Sequence, residues 1–296
     1  VVVDGQRWIR AVAAVGVLMT ACSGGGSSEE ASSTTGAFPS GAGTIVIESG
    51  WASDARIVAL DLLTLEEEVI SGGGEAHVPD VTDDGTRVVW AGPSTVDSNW
   101  PDTYLHDRTT GETRRVGSGG GPTWTFDEQA LLVSRPDGVH QLELDGSAEL
   151  VRAGEEVSGS EIGEGTFVFG DPRTLTIVEG DDETVVFDGG GTCGPSASDL
   201  DPDGRTLAFT VWCTEADDPA AGLYAFDLRS EEPTIVRSGD LTGAAWSPAG
   251  TSIATVHRPD PDVEQNELWL VDARTGASEV IRSGGWSSWP VWLDLP

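Results

Sequence analysis

Three carboxylates at alternate positions, Asp199-Leu-Asp201-Pro-Asp203-Gly204, spell the opening of a calcium loop, in which such acids converge on one hard cation. The rest of that loop is missing. No acid stands at Leu207 or Thr210 to complete the shell, and the equivalents in a later copy of the same pattern are Ala245, Ser247 and Ala249. No metal is expected, with calcium on Asp199, Asp201 and Asp203 as the minor alternative. The four histidines, His77, His106, His140 and His257, are spread along the chain without ligand spacing. There is no His-Glu-x-x-His, no Gly-x-Ser-x-Gly elbow and no dinucleotide fingerprint after a strand. All 16 basic residues are arginine, so a Schiff-base or P-loop lysine is excluded. No cofactor is expected and no catalytic set is apparent.

Cysteine chemistry is more definite. Cys193 lies ten residues before Asp203 and Cys213 ten after it. If the Asp203-Gly204 turn closes a hairpin with Leu200 opposite Thr206, then Cys193 falls opposite Cys213, within bridging range. In an oxidising compartment these two form a disulfide, worth roughly 3 kcal/mol for a loop of this length.

The elements that must position these residues repeat. Val81-Thr-Asp-Asp-Gly-Thr-Arg-Val-Val-Trp90, Leu200-Asp-Pro-Asp-Gly-Arg-Thr-Leu-Ala-Phe209 and Trp246-Ser-Pro-Ala-Gly-Thr-Ser-Ile-Ala-Thr255 are each a strand end, a glycine turn and a second strand. Each runs on to a matching close at 105–116, 225–236 and 270–281. A period of about 40–45 residues with four strands per unit predicts a β-propeller. Blades are expected at about 77–121, 122–156, 157–193, 194–241 and 242–286. A sixth begins at Thr44-Ile-Val-Ile-Glu48 and lacks its innermost strand. Trp289-Pro-Val-Trp-Leu293 aligns with the innermost strands of other units, so the C-terminal segment is expected to close the ring. The prediction is an all-β, six-bladed propeller over 43–296. Trp124, Trp246 and Trp292 are expected between blades. Asp61, Asp107, Asp227 and Asp272 recur at one position and are expected to cap hairpins.

The formal charge is −34. That excludes nucleic-acid binding, which requires neutralising phosphates. Near the N-terminus, Arg7 and Arg10 precede the nine-residue apolar run Ala11–Met19, too short to span a bilayer. Leu18-Met-Thr-Ala-Cys22 follows, and the arrangement resembles a bacterial lipoprotein signal ending in its lipobox. The resemblance implies a signal over 1–21, acylation of Cys22 and anchoring to the outer side of the cell membrane. The Ser/Gly-rich segment 22–42 has too little apolar surface to fold and reads as a tether.

Trp246-Ser-Pro-Ala-Gly250, Leu200-Asp-Pro-Asp-Gly204 and Leu223-Tyr-Ala-Phe-Asp227 resemble the TolB-type propeller repeat. That repeat occurs in periplasmic binding proteins, peptidase gating domains and lyases, so the resemblance implies the fold more than an activity. With strands named a to d outward, the a–b and c–d turns share one face and are short. The long connections are b–c, over 92–102, 214–222 and 257–266, and they carry function when a rigid scaffold holds them. Trp51, Trp100 and Trp286 are expected on this b–c face, among Asp97, Asp102, Asp217, Asp218, Asp260 and Asp262. Aromatic rings beside acids suit a sugar, peptide or cationic ligand. The expectation is a monomeric, non-catalytic module binding a protein, peptide or glycan. The alternatives are a surface enzyme using channel acids on polysaccharide or peptide, and a structural envelope protein.

Overall fold

The computed structural model describes residues 43–50, 52–72, 74–95, 100–214, 218–259, 266–284 and 289–293. They form six four-stranded antiparallel sheets arranged as the blades of a propeller. Blade 1 contains β1 (Thr44–Ser49), β2 (Arg56–Asp61) and β3 (Glu67–Val69). Blade 2 contains β4 (His77–Val81), β5 (Arg87–Gly92), β6 (Asp102–Asp107) and β7 (Glu112–Ser118). Blade 3 contains β8 (Gly120–Trp124), β9 (Ala130–Arg135), β10 (Gly138–Glu143) and β11 (Ala148–Ala153). Blade 4 contains β12 (Ser158–Gly163), β13 (Thr166–Gly170), β14 (Thr174–Glu179) and β15 (Asp182–Asp188). Blade 5 contains β16 (Cys193–Leu200), β17 (Thr206–Cys213), β18 (Gly222–Asp227) and β19 (Glu232–Ser238). Blade 6 contains β20 (Leu241–Trp246), β21 (Ser252–His257), β22 (Asn266–Asp272) and β23 (Ser278–Gly284). The last strand, β24 (Val291–Leu293), pairs with β1 through Thr44↔Leu293 and becomes strand a of blade 1. The ring closes between the two ends of the propeller, as the sequence pattern predicts.

Burial follows position in the blade. The second strands are covered on both faces by neighbouring blades, so they carry continuous apolar runs such as Val88-Val-Trp-Ala91, all at most 4% exposed. The outermost strands face solvent and leave Leu150, Val185, Ile235 and Val280 exposed. Trp124, Trp246 and Trp292 are buried, as expected.

The seams between blades carry a second device that periodicity does not announce. In blades 2 to 6 the a–b pairing shifts register part-way along strand a, for instance between Ser196 and Ser198. Such a bulge bends the strand and re-aims the residues beyond it. Beyond the bulge in blade 2, Asp80 Oδ2 accepts from the backbone N–H of Trp124 in blade 3 at 2.7 Å. In blade 5, Asp199 Oδ2 accepts from Trp246 N–H in blade 6 at 2.6 Å. Elsewhere, Glu161 Oε2 of blade 4 accepts from Phe126 N–H of blade 3, and Glu48 Oε2 of blade 1 accepts from Val78 N–H of blade 2. Trp292 Nε1 donates to the Ala245 carbonyl across the closing seam. The blade 4–5 seam is instead filled by an apolar cluster including Ile162, Val168, Leu200, Phe209 and Phe226.

The turns on the a–b face are self-capped. Gly85, Gly204 and Gly250 take φ near +66° and donate to the carbonyl three residues back. Glu128 holds the same position in blade 3 at φ +56°, a conformation that costs a side chain energy. Its carboxylate accepts from the Asp83 N–H of blade 2, and its carbonyl accepts from Arg87 Nη2. Asp61, Asp107, Asp227 and Asp272 each accept from the backbone N–H groups two and three residues on, which confirms them as hairpin caps.

Replacing a seam acid strands a buried donor. Asp199→Ala is expected to lower unfolding free energy in urea by about 2 kcal/mol or more, because Trp246 N–H loses its acceptor in the core. Asp203→Ala, at the exposed turn of the same blade, should change it by no more than about 0.5 kcal/mol.

Candidate functional site

The carboxylates that resembled a calcium loop do other work. Asp199 is 6% exposed and holds the blade 5–6 seam. Asp201 Oδ1 caps the a–b turn by accepting from Arg205 and Thr206 N–H. Asp203 is exposed at the tip. Asp199 and Asp201 are thus each engaged by backbone donors, one across the seam and one in its own turn.

Cys193 and Cys213 are directly opposite and bridged, with an S–S distance of 2.04 Å. The register that brings them together differs from the expected one. Leu200 pairs with Leu207, not Thr206, and the bulge between Ser196 and Ser198 then restores the alignment of Cys193 with Cys213. Asp218 lies near the same sulfurs, and the three could offer ligand atoms within 4.8 Å of one another. The disulfide leaves no thiolate for a metal, and Asp218 Oδ1 accepts from Ala220 N–H, shaping the b–c loop of blade 5.

On the b–c face, the expected ligand residues divide. Trp100 Nε1 donates to the Ser134 carbonyl of blade 3 at 2.7 Å, so the b–c loop of blade 2 leans across the seam onto its neighbour. Asp102 is withdrawn from the face altogether. Its residue is fully buried, and its carboxylate accepts from Arg115 Nη2 at 2.7 Å, Ser118 Oγ at 2.8 Å, Thr95 N–H at 2.8 Å and Thr95 Oγ1 at 2.6 Å. Burial raises its pKa, but the hydrogen bonds from Arg115, Thr95 and Ser118 outweigh burial and hold the carboxyl well below the ordinary range. Asp102 therefore fixes the loop that carries Trp100 instead of meeting a ligand. Trp51, Asp97, Asp217, Asp260, Asp262, Trp286 and Cys22 lie outside the described residues.

Two grooves run along seams where a d strand borders the next blade, and the first extends from the b–c turn of blade 3 to its c–d turn at Asp145 and Gly146. The first, about 580 Å³ at the blade 2–3 seam, is lined by Trp100, Arg115, Ser118, Arg135 and Asp145 among others. The second, about 560 Å³ at the blade 3–4 seam, includes Arg152, Glu155, Glu156, Phe169 and Arg173. The arginines of both grooves escaped the sequence reading. Arg115 and Arg152 sit on d strands, where a long polar side chain signals only an exposed edge, and their meeting with the next blade's turn depends on the ring.

The histidines stay apart. His77 Nδ1 is 2.7 Å from Glu48 Oε1, and this hydrogen bond raises its pKa despite partial burial. His106 meets Thr113, His140 meets Asp137, and His257 lies 4.1 Å from the Trp269 ring. Asp80, Glu161 and Asp199, acids of the innermost strands, are all engaged by backbone donors of an adjoining blade.

No family model matches the sequence, and no curated protein matches it. Solved structures do match. TolB from Acinetobacter baumannii superposes with a TM-score of 0.65 at 14% identity, covering 84% of this chain and 66% of that one. A candidate TolB from Agrobacterium tumefaciens gives 0.62 at 14% identity, covering 82% and 90%. The fold is that of the TolB propellers. An oligogalacturonate lyase in complex with manganese also matches, with a TM-score of 0.52 at 12% identity, covering 76% of this chain and 70% of that one. At these identities the likeness is one of fold alone, and a fold does not fix an activity. The chain spans just under two thirds of the Acinetobacter TolB. Among the described residues, no helix is long and apolar enough to cross a membrane.

The withdrawn Asp102 has a pH signature. Because its pKa is depressed in the fold, its stabilisation is complete above the unfolded value near 4 and is lost as pH falls below it. Asp102→Asn is expected to cost about 2 kcal/mol at pH 7 and progressively less from pH 5 to pH 3, measured by urea unfolding at each pH. A difference that stays constant with pH would place the carboxylate charge outside the clamp.

Proposed function

We propose that this protein is an exported binding module, held at the membrane through acylated Cys22 and a tether over 22–42, which captures its ligand on the b–c face of the propeller. The observation that carries the reading is the groove at the blade 2–3 seam. There Trp100 is fixed by its indole N–H, and its loop is pinned beneath by the Asp102 clamp. A rigid aromatic platform beside polar donors on a rigid scaffold is what recognition of a protein, peptide or glycan requires. The Cys193–Cys213 disulfide supports export, since such bonds persist in oxidising compartments.

A surface enzyme acting through channel acids is the competing reading. The engagement of Asp80, Glu161 and Asp199 in blade seams favours binding over that reading. An envelope scaffold without a ligand of its own is a third, and the preformed groove speaks for a ligand.

Glycan-array and pull-down screening of the full chain, with Trp100→Ala as comparison, tests the binding face. The expected result is a loss of at least about tenfold in affinity for the ligand found, with an unchanged melting temperature. Binding that is indifferent to Trp100→Ala would move the site elsewhere. For the anchor, Cys22→Ala should release the protein from the membrane fraction and abolish incorporation of labelled fatty acid.

A further inference from the structure

The c–d turn of blade 1 differs from its counterparts in side chains and not in backbone. Asp61, Asp107, Asp227 and Asp272 each open a turn whose fifth residue donates its N–H to the aspartate carbonyl at 2.8–2.9 Å. That fifth residue takes a positive φ in all four, +57° at Leu65, +74° at Gly111, +55° at Glu231 and +69° at Gly276. The third residue is Thr109, Arg229 or Arg274 in blades 2, 5 and 6, and Leu63 in blade 1. Leu63 is 62% exposed and Leu65 44%. The other large apolar side chains exposed among the described residues, such as Val185 and Ile235, lie on outermost strands. A leucine in the left-handed region costs energy that Gly111 and Gly276 avoid, and an exposed one returns little of it to the fold. Between the two, the backbone is seated by Leu62, which packs beside Ile281 against Ile45, Leu60 and Trp292.

This turn is also where the chain enters the propeller. The Gly43 carbonyl accepts from Leu62 N–H at 3.0 Å, and Thr44 pairs with Asp61. The tether proposed over 22–42 therefore leaves beside Leu63 and Leu65, with a reach of about 25 Å for a Ser/Gly-rich segment of that length. That is close to the roughly 20 Å of a six-residue strand, which separates the two faces of the disc. Of the acids that follow, Glu66 is exposed, Glu67 is paired with Arg282 of blade 6 at 2.7 Å, and Glu68 with Arg108 of blade 2 at 3.0 Å.

We propose that Leu63 and Leu65 enter the interface of the phospholipid bilayer that holds acylated Cys22, seating blade 1 on the membrane and turning the b–c face away from it. This rests on the anchored reading given above and adds an orientation to it. Two leucines bind a bilayer weakly by themselves, but a short tether makes the contact intramolecular and so effective. The lipid is zwitterionic, because a chain of formal charge −34 is repelled by an anionic surface. The same turn in blade 5 is an internal control, with Arg229 and Glu231 in place of the two leucines.

A fluorophore on Thr64→Cys, between the leucines, tests the docking in the acylated full chain on phosphatidylcholine vesicles, with and without lipid carrying an acyl-chain quencher. Matched labels go on Ser230→Cys, the same turn position in blade 5, and on Arg173→Cys in the b–c turn of blade 4. The Thr64 label should lose at least about half its emission and the other two no more than about a tenth, as expected for side chains that enter only the headgroup boundary. Leu63→Ser with Leu65→Gly, which keeps the turn's backbone, should bring the Thr64 label to the level of the Ser230 label without lowering the melting temperature. Equal quenching of all three labels, with labelled fatty acid present on Cys22, overturns the docking and leaves the anchor standing. A Thr64 label indifferent to the two substitutions does the same. Absence of fatty acid on Cys22, with no flotation on vesicles, overturns the anchor and the docking with it. A Thr64 label shielded from a water-soluble quencher before vesicles are added would assign the leucines to another part of this chain and also overturn the docking.

Discussion

A carboxylate on one blade that accepts from the backbone of the next is the contact on which the ring depends. Asp80, Asp199 and Glu48 each do this, and Glu161 accepts in the same way from the preceding blade. Apolar packing alone lets neighbouring sheets slide, since contact between flat faces has little angular preference. A buried carboxyl acceptor at 2.6–2.7 Å from a single N–H fixes the angle and offset between blades 2 and 3 and between blades 5 and 6. The blade 4–5 seam is the counterexample that clarifies the rule. It is filled by large apolar side chains, including Phe209 and Phe226, and a disulfide reinforces blade 5 at its side.

This arrangement makes the two faces of the disc unequal. The a–b and c–d turns satisfy themselves through aspartate, serine and threonine caps, and Glu128 ties two of them together across a seam. They have little left to offer a ligand. On the b–c side, hydrogen-bonding capacity is concentrated where a d strand meets the next blade's turn. Arg115, Ser118 and Arg135 come together there because the seam is held at one geometry. Asp102, invisible from outside, sets the loop that places Trp100 beside them.

Much of this was legible in the residues, and the remainder has identifiable physical reasons. Blade number, ring closure by Val291–Leu293 and the capping roles of Asp61, Asp107, Asp227 and Asp272 follow from local pattern, because turn chemistry and strand alternation are local. The disulfide was reached through a turn register one residue out, which a bulge in β16 happens to correct. Bulges leave no residue signature of their own here. Asp199 entered only a minor calcium alternative, and its seam role is not legible because spacing cannot tell whether a carboxylate faces its own turn or the next blade. Asp102 looked like a loop acid because its partner Arg115 is 13 residues away on the outer strand. Glu128 at a glycine position was concealed for a similar reason, its compensation lying 45 residues off at Asp83. Contacts across seams are products of the closed ring, and no window of sequence contains them.

The account stands on ligand occupancy of one seam on one face. Hydrogen exchange of the full chain, with and without the tightest ligand found by screening, measures that directly. Slowed exchange confined to 115–120 and 134–138, with the turns at 82–86, 125–129 and 247–251 unaffected, is the predicted result. Protection at those a–b turns, or none around Arg135 at saturating ligand, would contradict it.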